Sequence, residues 1–110
     1  MKNKINFLQE LGNNIREQRK LKKVNQEDFA KHANIGRRHY GFIERGEVNV
    51  SVVHLAKISL ALGVSINLLL PTNFSLIDLL EGYDVATLKR TQSKIVAGKK
   101  RKVPASNSAE

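Results

Sequence analysis

The sequence predicts an all-α fold, with five helices in its first 70 residues and an additional C-terminal helical extension. Apolar residues recur every three or four positions through most of the chain, which is the period of an α-helix. Asparagine, serine and glycine, which favour helix ends, stand at the borders of these segments. Short alternations of apolar and polar residues exist, but none is bounded as a strand is, so no sheet is predicted.

The first helix is predicted from about Phe7 to Lys22, because Leu8, Leu11 and Ile15 are spaced by three and four residues. The lysines near its end suit the negative end of the helix dipole. The second helix follows Asn25, whose residue type accepts a hydrogen bond from the free amides of a first turn.

The third helix is predicted from Arg37 to Arg45, after a tight turn at Asn34-Ile35-Gly36. Gly46 suits the left-handed conformation that ends many helices. Helical spacing separates its residues into two sides. Tyr40, Ile43 and Glu44 share one side, and Arg38, Gly41, Phe42 and Arg45 share the other.

The fourth helix is predicted to begin after Ser51 and to end at Gly63, and a short fifth helix from Ile66 to Leu70 stops at Pro71. Beyond Pro71 an apolar cluster follows, and Asp84 is predicted to begin a further helix that continues through Ala97. The predicted organisation is therefore a domain of residues 1–70, a helical extension of residues 71–97 and a basic, disordered tail of residues 98–110.

The charge of the chain favours binding to polyanions. Nineteen lysines and arginines against ten aspartates and glutamates give a net charge of +9, which attracts nucleic acid above all. The absence of cysteine excludes disulfides, thiolate metal sites and cysteine nucleophiles. Three scattered histidines do not suggest a zinc site, so neither a metal nor a cofactor is predicted.

The sequence gives little support to a membrane protein or to an enzyme. No apolar run approaches the roughly 18 residues of a membrane span, and the basic N-terminus continues into polar residues rather than a secretion signal. A cytoplasmic protein, associated with the nucleoid through DNA, is therefore predicted. No glycine-rich phosphate loop, paired-carboxylate cleft or Ser/His/Asp grouping is recognisable, so no enzymatic activity is predicted.

The predicted second and third helices together describe a helix-turn-helix motif, because a short turn joins them and the second of the pair has a basic face. Arg37 lies near the start of that helix, where recognition helices meet base edges. Arginine is suited to guanine because its planar fork spans the O6 and N7 acceptors. The sequence thus predicts binding to double-stranded DNA.

Three ordered motifs carry a resemblance to a known family: Val24-Asn25-Gln26-Glu27-Asp28-Phe29-Ala30, Ile43-Glu44-Arg45-Gly46 and Ala61-Leu62-Gly63-Val64-Ser65. Together they resemble the lambda-repressor-like family, the Cro/repressor or XRE type of regulator. The resemblance extends from about Leu8 to Leu70. It implies a five-helix domain that binds a pseudo-palindromic operator as a twofold homodimer.

The resemblance also implies roles for individual residues. The positions that match base-reading residues of the recognition helix are Arg37, Arg38 and Phe42. The positions that match contacts to the DNA backbone are Gln26, Arg45, Asn49 and Ser51, and we add His39 because it lies beside the same face. Arg19 and Glu44 match a buried ion pair that ties the first helix to the third.

Phe42 and Gly41 depart from the family pattern, in which polar residues are commoner at the position of Phe42. An aromatic ring there is suited to thymine methyl groups, although it is equally able to pack against the domain or a partner. Glycine inside a helix costs about 1 kcal/mol but lets the backbone approach DNA closely.

The apolar residues of the fifth helix and of the segment after it predict a dimer, because so small a domain cannot cover them alone. The residues assigned to this surface are Leu68, Leu69, Phe74, Leu76, Leu79 and Leu80. The run from Lys99 to Lys102 favours a tail that touches DNA over a targeting signal.

Several biological roles fit these predictions. Glu27 and Asp28 suit the positive end of the second helix, and in some members of the family an acidic patch there contacts RNA polymerase, so repression and activation both stay open. The small size and the Ile43-Glu44-Arg45-Gly46 motif favour the controller of a restriction–modification operon. The alternative function is an antitoxin or interaction module that binds another protein through residues 72–97.

Overall fold

The computed structural model describes residues 6–98, and these residues form seven helices and no strand, so the all-α prediction is confirmed. The helices are α1 (Phe7–Leu21), α2 (Gln26–His32), α3 (Arg37–Arg45), α4 (Val52–Leu62), α5 (Ile66–Leu69), α6 (Leu76–Leu79) and α7 (Val85–Gly98). The chain divides into two units between Leu79 and Leu80, with α1 to α6 in the first and α7 in the second. The basic run from Lys99 to Lys102 lies outside the described residues.

Side-chain caps begin two of the predicted helices as expected. Asn25 Oδ1 accepts a hydrogen bond from the Asp28 amide at 2.7 Å, and Ser51 Oγ accepts one from the His54 amide at 3.0 Å. Each bond satisfies an amide that has no partner inside its helix. The starts of α2 and α4 are therefore determined locally.

Glycines end α3 and α4. Gly46 and Gly63 have φ angles of +72° and +73°, a left-handed conformation that residues with a Cβ rarely adopt. Because each glycine directly follows the last helical residue, both ends agree with the prediction.

The region around Pro71 differs from the prediction in two ways. Leu70 is extended, with φ −73° and ψ 141°, so α5 ends at Leu69; a residue that precedes proline is disfavoured in the helical conformation. Helix α6 was not predicted. The sequence feature that marks the start of α6 is a pair of residues that cap it reciprocally. The Asp78 amide donates to Ser75 Oγ, and the Ser75 amide donates to an Asp78 carboxylate oxygen.

The core lies where α1, α3, α4 and α5 meet, and α2 covers it from one side. The most extensive helix contact joins α1 and α3. The Phe29 ring of α2 packs against the Tyr40 ring of α3, with centroids 5.3 Å apart. The buried apolar residues are Leu11, Ile15, Phe29, Ala30, Ala33, Ile35, Tyr40, Ile43, Ile58, Leu62 and Leu69.

Leu69 corrects one prediction for the dimer surface. Its side chain is 0% exposed and belongs to the core, whereas the neighbouring Leu68 is 54% exposed. Asn14 Nδ2 of α1 donates a hydrogen bond to the Leu69 carbonyl at 2.9 Å, which fixes the end of α5 against α1. Leu69 therefore stabilises the domain and is not available to a second copy.

Gly12 allows α1 and α3 to approach closely. A Cβ added to Gly12 would lie 2.3 Å from the Glu44 backbone oxygen and 2.6 Å from that of Ile43. Backbone atoms cannot move aside as the end of a flexible side chain can, so a methyl group there would force the two helices apart.

We expect Gly12→Ala to lower the free energy of unfolding by about 1–3 kcal/mol, because overpacking outweighs the gain of about 1 kcal/mol in helix propensity. Urea unfolding followed by circular dichroism measures the change. Gly41→Ala is the matched control, since the nearest neighbour of its added Cβ is the end of the Arg45 side chain at 3.2 Å. Equal effects of the two substitutions would contradict the backbone contact.

Helix α7 belongs to the second unit. The Thr87 amide donates to Asp84 Oδ1 at 3.0 Å, so Asp84 caps the helix as predicted. Leu88 and Ile95 expose more than half of their surface.

Among residues 6–98, no helix combines the length and the apolar character that a membrane crossing requires.

Candidate nucleic-acid interface

Helices α2 and α3 are joined by a four-residue turn that sets the position of α3. Asn34 adopts a left-handed conformation with φ +58°, which asparagine tolerates better than most residues. Ile35 is buried, and its amide donates to the Ala30 carbonyl at 2.9 Å. The buried side chain and this hydrogen bond hold the turn against α2.

The inner side of α3 fixes the rotation of the helix about its axis. Tyr40, Ile43 and Glu44 are each no more than 2% exposed. Arg37, Arg38 and Arg45 are exposed on the remainder of the helix surface. The three arginines therefore face solvent from a helix whose other side is held in the core.

Glu44 is the centre of a buried polar network. Arg19 of α1 donates from Nε to Glu44 Oε2 at 2.6 Å and from Nη2 to Oε1 at 3.1 Å. The Tyr40 hydroxyl also donates to Glu44 Oε2, and Gln26 Nε2 donates to Oε1 at 3.0 Å. One carboxylate thus connects α1, α2 and α3. The sequence prediction paired Arg19 with Glu44 but contained no signal for the contact with Gln26.

The network keeps Glu44 ionised and Tyr40 neutral. Burial opposes the charge on Glu44, but hydrogen bonds from Arg19, Tyr40 and Gln26 outweigh it and lower the pKa of the carboxyl. The hydrogen bond with Glu44 raises the pKa of Arg19 against the effect of burial. Burial, followed by the hydrogen bond with Glu44, raises the pKa of Tyr40 well above its usual value.

A shallow cationic cleft of about 420 Å³ lies on the outer side of α3. Its lining residues are Gln26, Arg37, Arg38, Gly41 and Arg45. Gly41 is buried beneath the side chains of Gln26 and Arg45, although helical spacing predicted it among the outward residues. Guanidinium groups around an open cleft are suited to binding phosphate oxygens or base edges.

Phe42 lies between two of these arginines along the helix. The Arg38 Cζ is 5.5 Å from the centroid of the Phe42 ring, and the Arg45 Cζ is 5.2 Å from it. Both distances are within the range of cation–π attraction. The ring is half-buried.

The other residues predicted to contact the DNA backbone lie in α2, in α3 and in the loop that follows α3. Asn49 and Ser51 are exposed in the loop between α3 and α4, where the Ser51 hydroxyl also caps α4. Gln26 is half-buried at the first position of α2, so its amide points both to Glu44 and to the cleft. His39 is half-buried on α3.

His39 is in contact with His54 of α4, and their ring centroids are 4.8 Å apart. His54 Nδ1 is buried and makes no hydrogen bond within the described residues. Partial burial, together with the nearby His39 and Lys57, lowers the pKa of His54. This pair links the predicted DNA face to α4, and sequence spacing gave no indication of it.

We expect the chain to lose stability as the pH falls below about 6.5, the usual pKa of histidine. The unfolded state binds a proton at His54 more readily than the folded state, so stability declines from that pH down to the lowered folded-state pKa. Thermal unfolding of the wild type and of His54→Gln across this range measures the effect. The decline should be smaller in His54→Gln and unchanged in a control, His32→Gln, whose side chain is exposed. Identical pH profiles for His54→Gln and the wild type would contradict it.

The predicted dimer residues do not form a uniform surface. Leu68, Leu76 and Leu79 are exposed, whereas Phe74 and Leu80 are half-buried. The Phe74 ring packs edge-on against the Phe7 ring of α1, with centroids 5.7 Å apart. Phe74 therefore makes at least part of its contact within its own domain.

Helix α4 exposes an apolar face that was not among the predictions from the sequence. Val52, Val53 and Leu60 are 78%, 64% and 84% exposed. Helical spacing could have identified this face, because it separates these three residues from the inward-facing Ile58 and Leu62.

Within the described residues, no three histidine, cysteine, aspartate or glutamate side chains are grouped as a metal site requires.

Glu27 and Asp28, for which the family resemblance left a contact with RNA polymerase open, are exposed at the start of α2. Glu27 Oε2 lies 3.8 Å from Arg37 Nη1, and both side chains are largely exposed. Such a pair contributes little to stability and leaves either group free to contact a partner.

A family model described as helix-turn-helix matches residues 15–69. The control protein C.MunI from a Mycoplasma species is 42% identical over 57 residues, which cover 51% of this chain and 77% of that protein.

Two crystal structures are similar to just over half of the chain. The restriction-modification controller protein C.AhdI from Aeromonas hydrophila has a TM-score of 0.55 and 35% identity, and the match covers 56% of this chain and 94% of that one. The clp gene regulator ClgR from C. glutamicum has a TM-score of 0.53 and 30% identity, and covers 56% of this chain and 79% of that one.

Proposed function

From the premise that the chain belongs to the helix-turn-helix family of XRE-type transcriptional regulators, we propose that it binds one pseudo-palindromic operator as a homodimer, with α3 in the major groove. The observation that carries this proposal is the division of α3 into a side fixed in the core and a side that exposes Arg37, Arg38 and Arg45. The core holds the helix rigidly, and the exposed side provides the charge that DNA attracts.

We assign base reading to Arg37 and Arg38, since they lie in the first turn of α3 and their side chains are exposed. Their guanidinium groups are suited to guanine O6 and N7. Contacts to the DNA backbone are assigned to Gln26, His39, Arg45, Asn49 and Ser51. These contacts position the domain without carrying sequence information.

We assign to the dimer surface Leu68, Leu76 and Leu79, and with them Phe74 and Leu80. The exposure of the first three supports this assignment, because contact of apolar side chains with water is unfavourable. Under this proposal residues 1–70 bind DNA, residues 71–97 extend the dimer, and the basic tail adds contacts to phosphates.

The similarity to two control proteins supports a controller of a restriction–modification operon as the biological role. The exposed Glu27 and Asp28 would provide the contact with RNA polymerase if the chain activates transcription. A second candidate function is an interaction module or antitoxin, which the exposed Leu88 and Ile95 of α7 favour. Co-purification of a stoichiometric partner protein, with no selected DNA sequence, would support that alternative.

Selection of bound duplexes from a random pool tests the proposed function. We expect the recovered sequences to share two inverted half-sites about one helical turn apart. The symmetry of the recovered site also reports the assembly that bound it. An asymmetric site without a repeat would contradict the twofold dimer, and recovery of no sequence would contradict specific binding.

We expect Arg37→Ala to weaken binding to the selected duplex by about 1–3 kcal/mol and to relax the preference at one base position in each half-site. Fluorescence anisotropy with the selected duplex and with single-base variants of it measures both effects. Lys20→Ala on α1, an exposed residue outside α3, is the control and should leave the preference unchanged. An equal loss on all sequences would instead assign Arg37 to the phosphate backbone.

A further inference from the structure

The most specific arrangement on the outer side of α3 is the contact of one aromatic ring with two arginines. Arg38 precedes Phe42 by one helical turn, and Arg45 follows it by three residues. Their Cζ atoms lie 5.5 Å and 5.2 Å from the ring centroid. The electron-rich face of an aromatic ring attracts cations, so the ring favours these arginine conformations over the extended ones that solvent would allow.

Arg45 is held by two further features of its surroundings. Its Nε donates to Glu47 Oε1 at 3.2 Å. Its Nη1 occupies the space above Gly41, where an added Cβ would lie only 3.2 Å away. The ring, the carboxylate and the missing side chain at Gly41 together direct the Arg45 guanidinium back along α3 and into the lining of the cationic cleft.

We propose that Phe42 is a positioning residue that aligns Arg38 and Arg45 for DNA and contributes to affinity through them. This inference rests on the proposed function, but it replaces a direct contact of Phe42 with thymine methyl groups. An arginine side chain has many rotamers, and fixing one on binding has an entropic cost. Contact with the ring in the free protein reduces that cost, because part of the ordering is already present.

Phe42→Leu is the principal variant, since leucine remains apolar but has no aromatic face. We expect it to weaken binding to the selected duplex by about five- to thirty-fold per bound subunit, the combined effect of two exposed cation–π contacts. Phe42→Tyr retains the ring and should retain the affinity. Thermal unfolding of each variant separates loss of binding from loss of folding.

A mutant cycle decides whether the ring acts through the arginines. Phe42→Leu is combined with the double substitution Arg38→Ala and Arg45→Ala, and affinities are measured at reduced salt so that the weak variants still bind. In that background we expect Phe42→Leu to have less than about a twofold effect, since interacting residues are not additive. An equal loss in both backgrounds would overturn the proposal and show that the ring contacts DNA itself.

A measurement without DNA provides a second, independent readout. Protons that lie over an aromatic ring are shifted in NMR spectra by its ring current. We expect such shifts at the side-chain Nε protons of Arg38 and Arg45 in the wild type and in Phe42→Tyr, and their disappearance in Phe42→Leu. Absence of these shifts from the wild type would overturn the proposal. A wild-type chain that shows them but binds no duplex would overturn the proposed function, and with it the role of Phe42 in binding, so the two failures are distinguishable.

Discussion

Replacing Arg19 with methionine is expected to lower the free energy of unfolding by about 3–5 kcal/mol. Arg19 makes two hydrogen bonds to Glu44, and both residues are buried. Methionine preserves most of the apolar length of the side chain but leaves the carboxylate without its cationic partner. A domain of this size is stabilised by about 5–15 kcal/mol in total, so the expected loss is a large part of it. Urea unfolding at neutral pH measures the change.

Two further variants separate the buried charge from other effects. Replacing both Arg19 and Glu44 with methionine should recover part of the loss, because no unpaired charge remains in the core. Glu47→Ala breaks the exposed ion pair with Arg45 and should cost no more than about 1 kcal/mol. If Arg19→Met and Glu47→Ala had similar effects, the buried network would not be the main link between α1 and α3.

The same network determines how acid affects the chain. Because the folded-state pKa of Glu44 is lowered, its contribution is complete above the unfolded-state carboxyl pKa of about 4.3. The contribution is lost as the pH falls through the folded-state pKa. Arg19→Met removes the first of the hydrogen bonds that lower this pKa, so the acid dependence of stability should be shallower in the variant.

Raising the salt concentration from 50 to 200 mM is expected to weaken binding to the selected duplex by about 10³- to 10⁵-fold. This estimate assumes that a dimer neutralises about 6–10 phosphates, for which the slope of log K against log[salt] is about −5 to −9. The net charge of +9 and the exposed arginines of α3 are the physical basis of the expectation. Anisotropy titrations at several salt concentrations measure the slope.

Variants of single cations show which charges contribute to the slope. Arg45→Ala should reduce its magnitude by about one for each subunit if Arg45 contacts a phosphate. Lys20→Ala is the control from outside the α2–α3 pair and should leave the slope unchanged. Binding that hardly depends on salt would argue against the DNA interface altogether.

Apart from the region around Pro71, the helix boundaries were accessible from the sequence, and so was the family. Asn25 and Ser51 cap helices through bonds to amides three residues away, and Gly46 and Gly63 end helices through their own φ angles. These signals act within one helical turn, so no knowledge of distant residues is needed to recognise them. The three motifs that resembled the lambda-repressor-like family lie in the same part of the chain, which the helix-turn-helix family model matches.

Which residues meet across the fold was decided by tertiary structure. Leu68 and Leu69 are neighbours of the same residue type, yet one is exposed and the other lies in the core, because the packing of α5 against α1 and α4 selects one of them. The contacts of Gly12 with the α3 backbone, of Gln26 with Glu44, and of His39 with His54 also join separate helices. The chain by itself determined where helices begin and end, because capping and periodicity are local interactions. Burial and pairing depend on how those helices pack against one another, and no interaction within a single helical turn determines that packing.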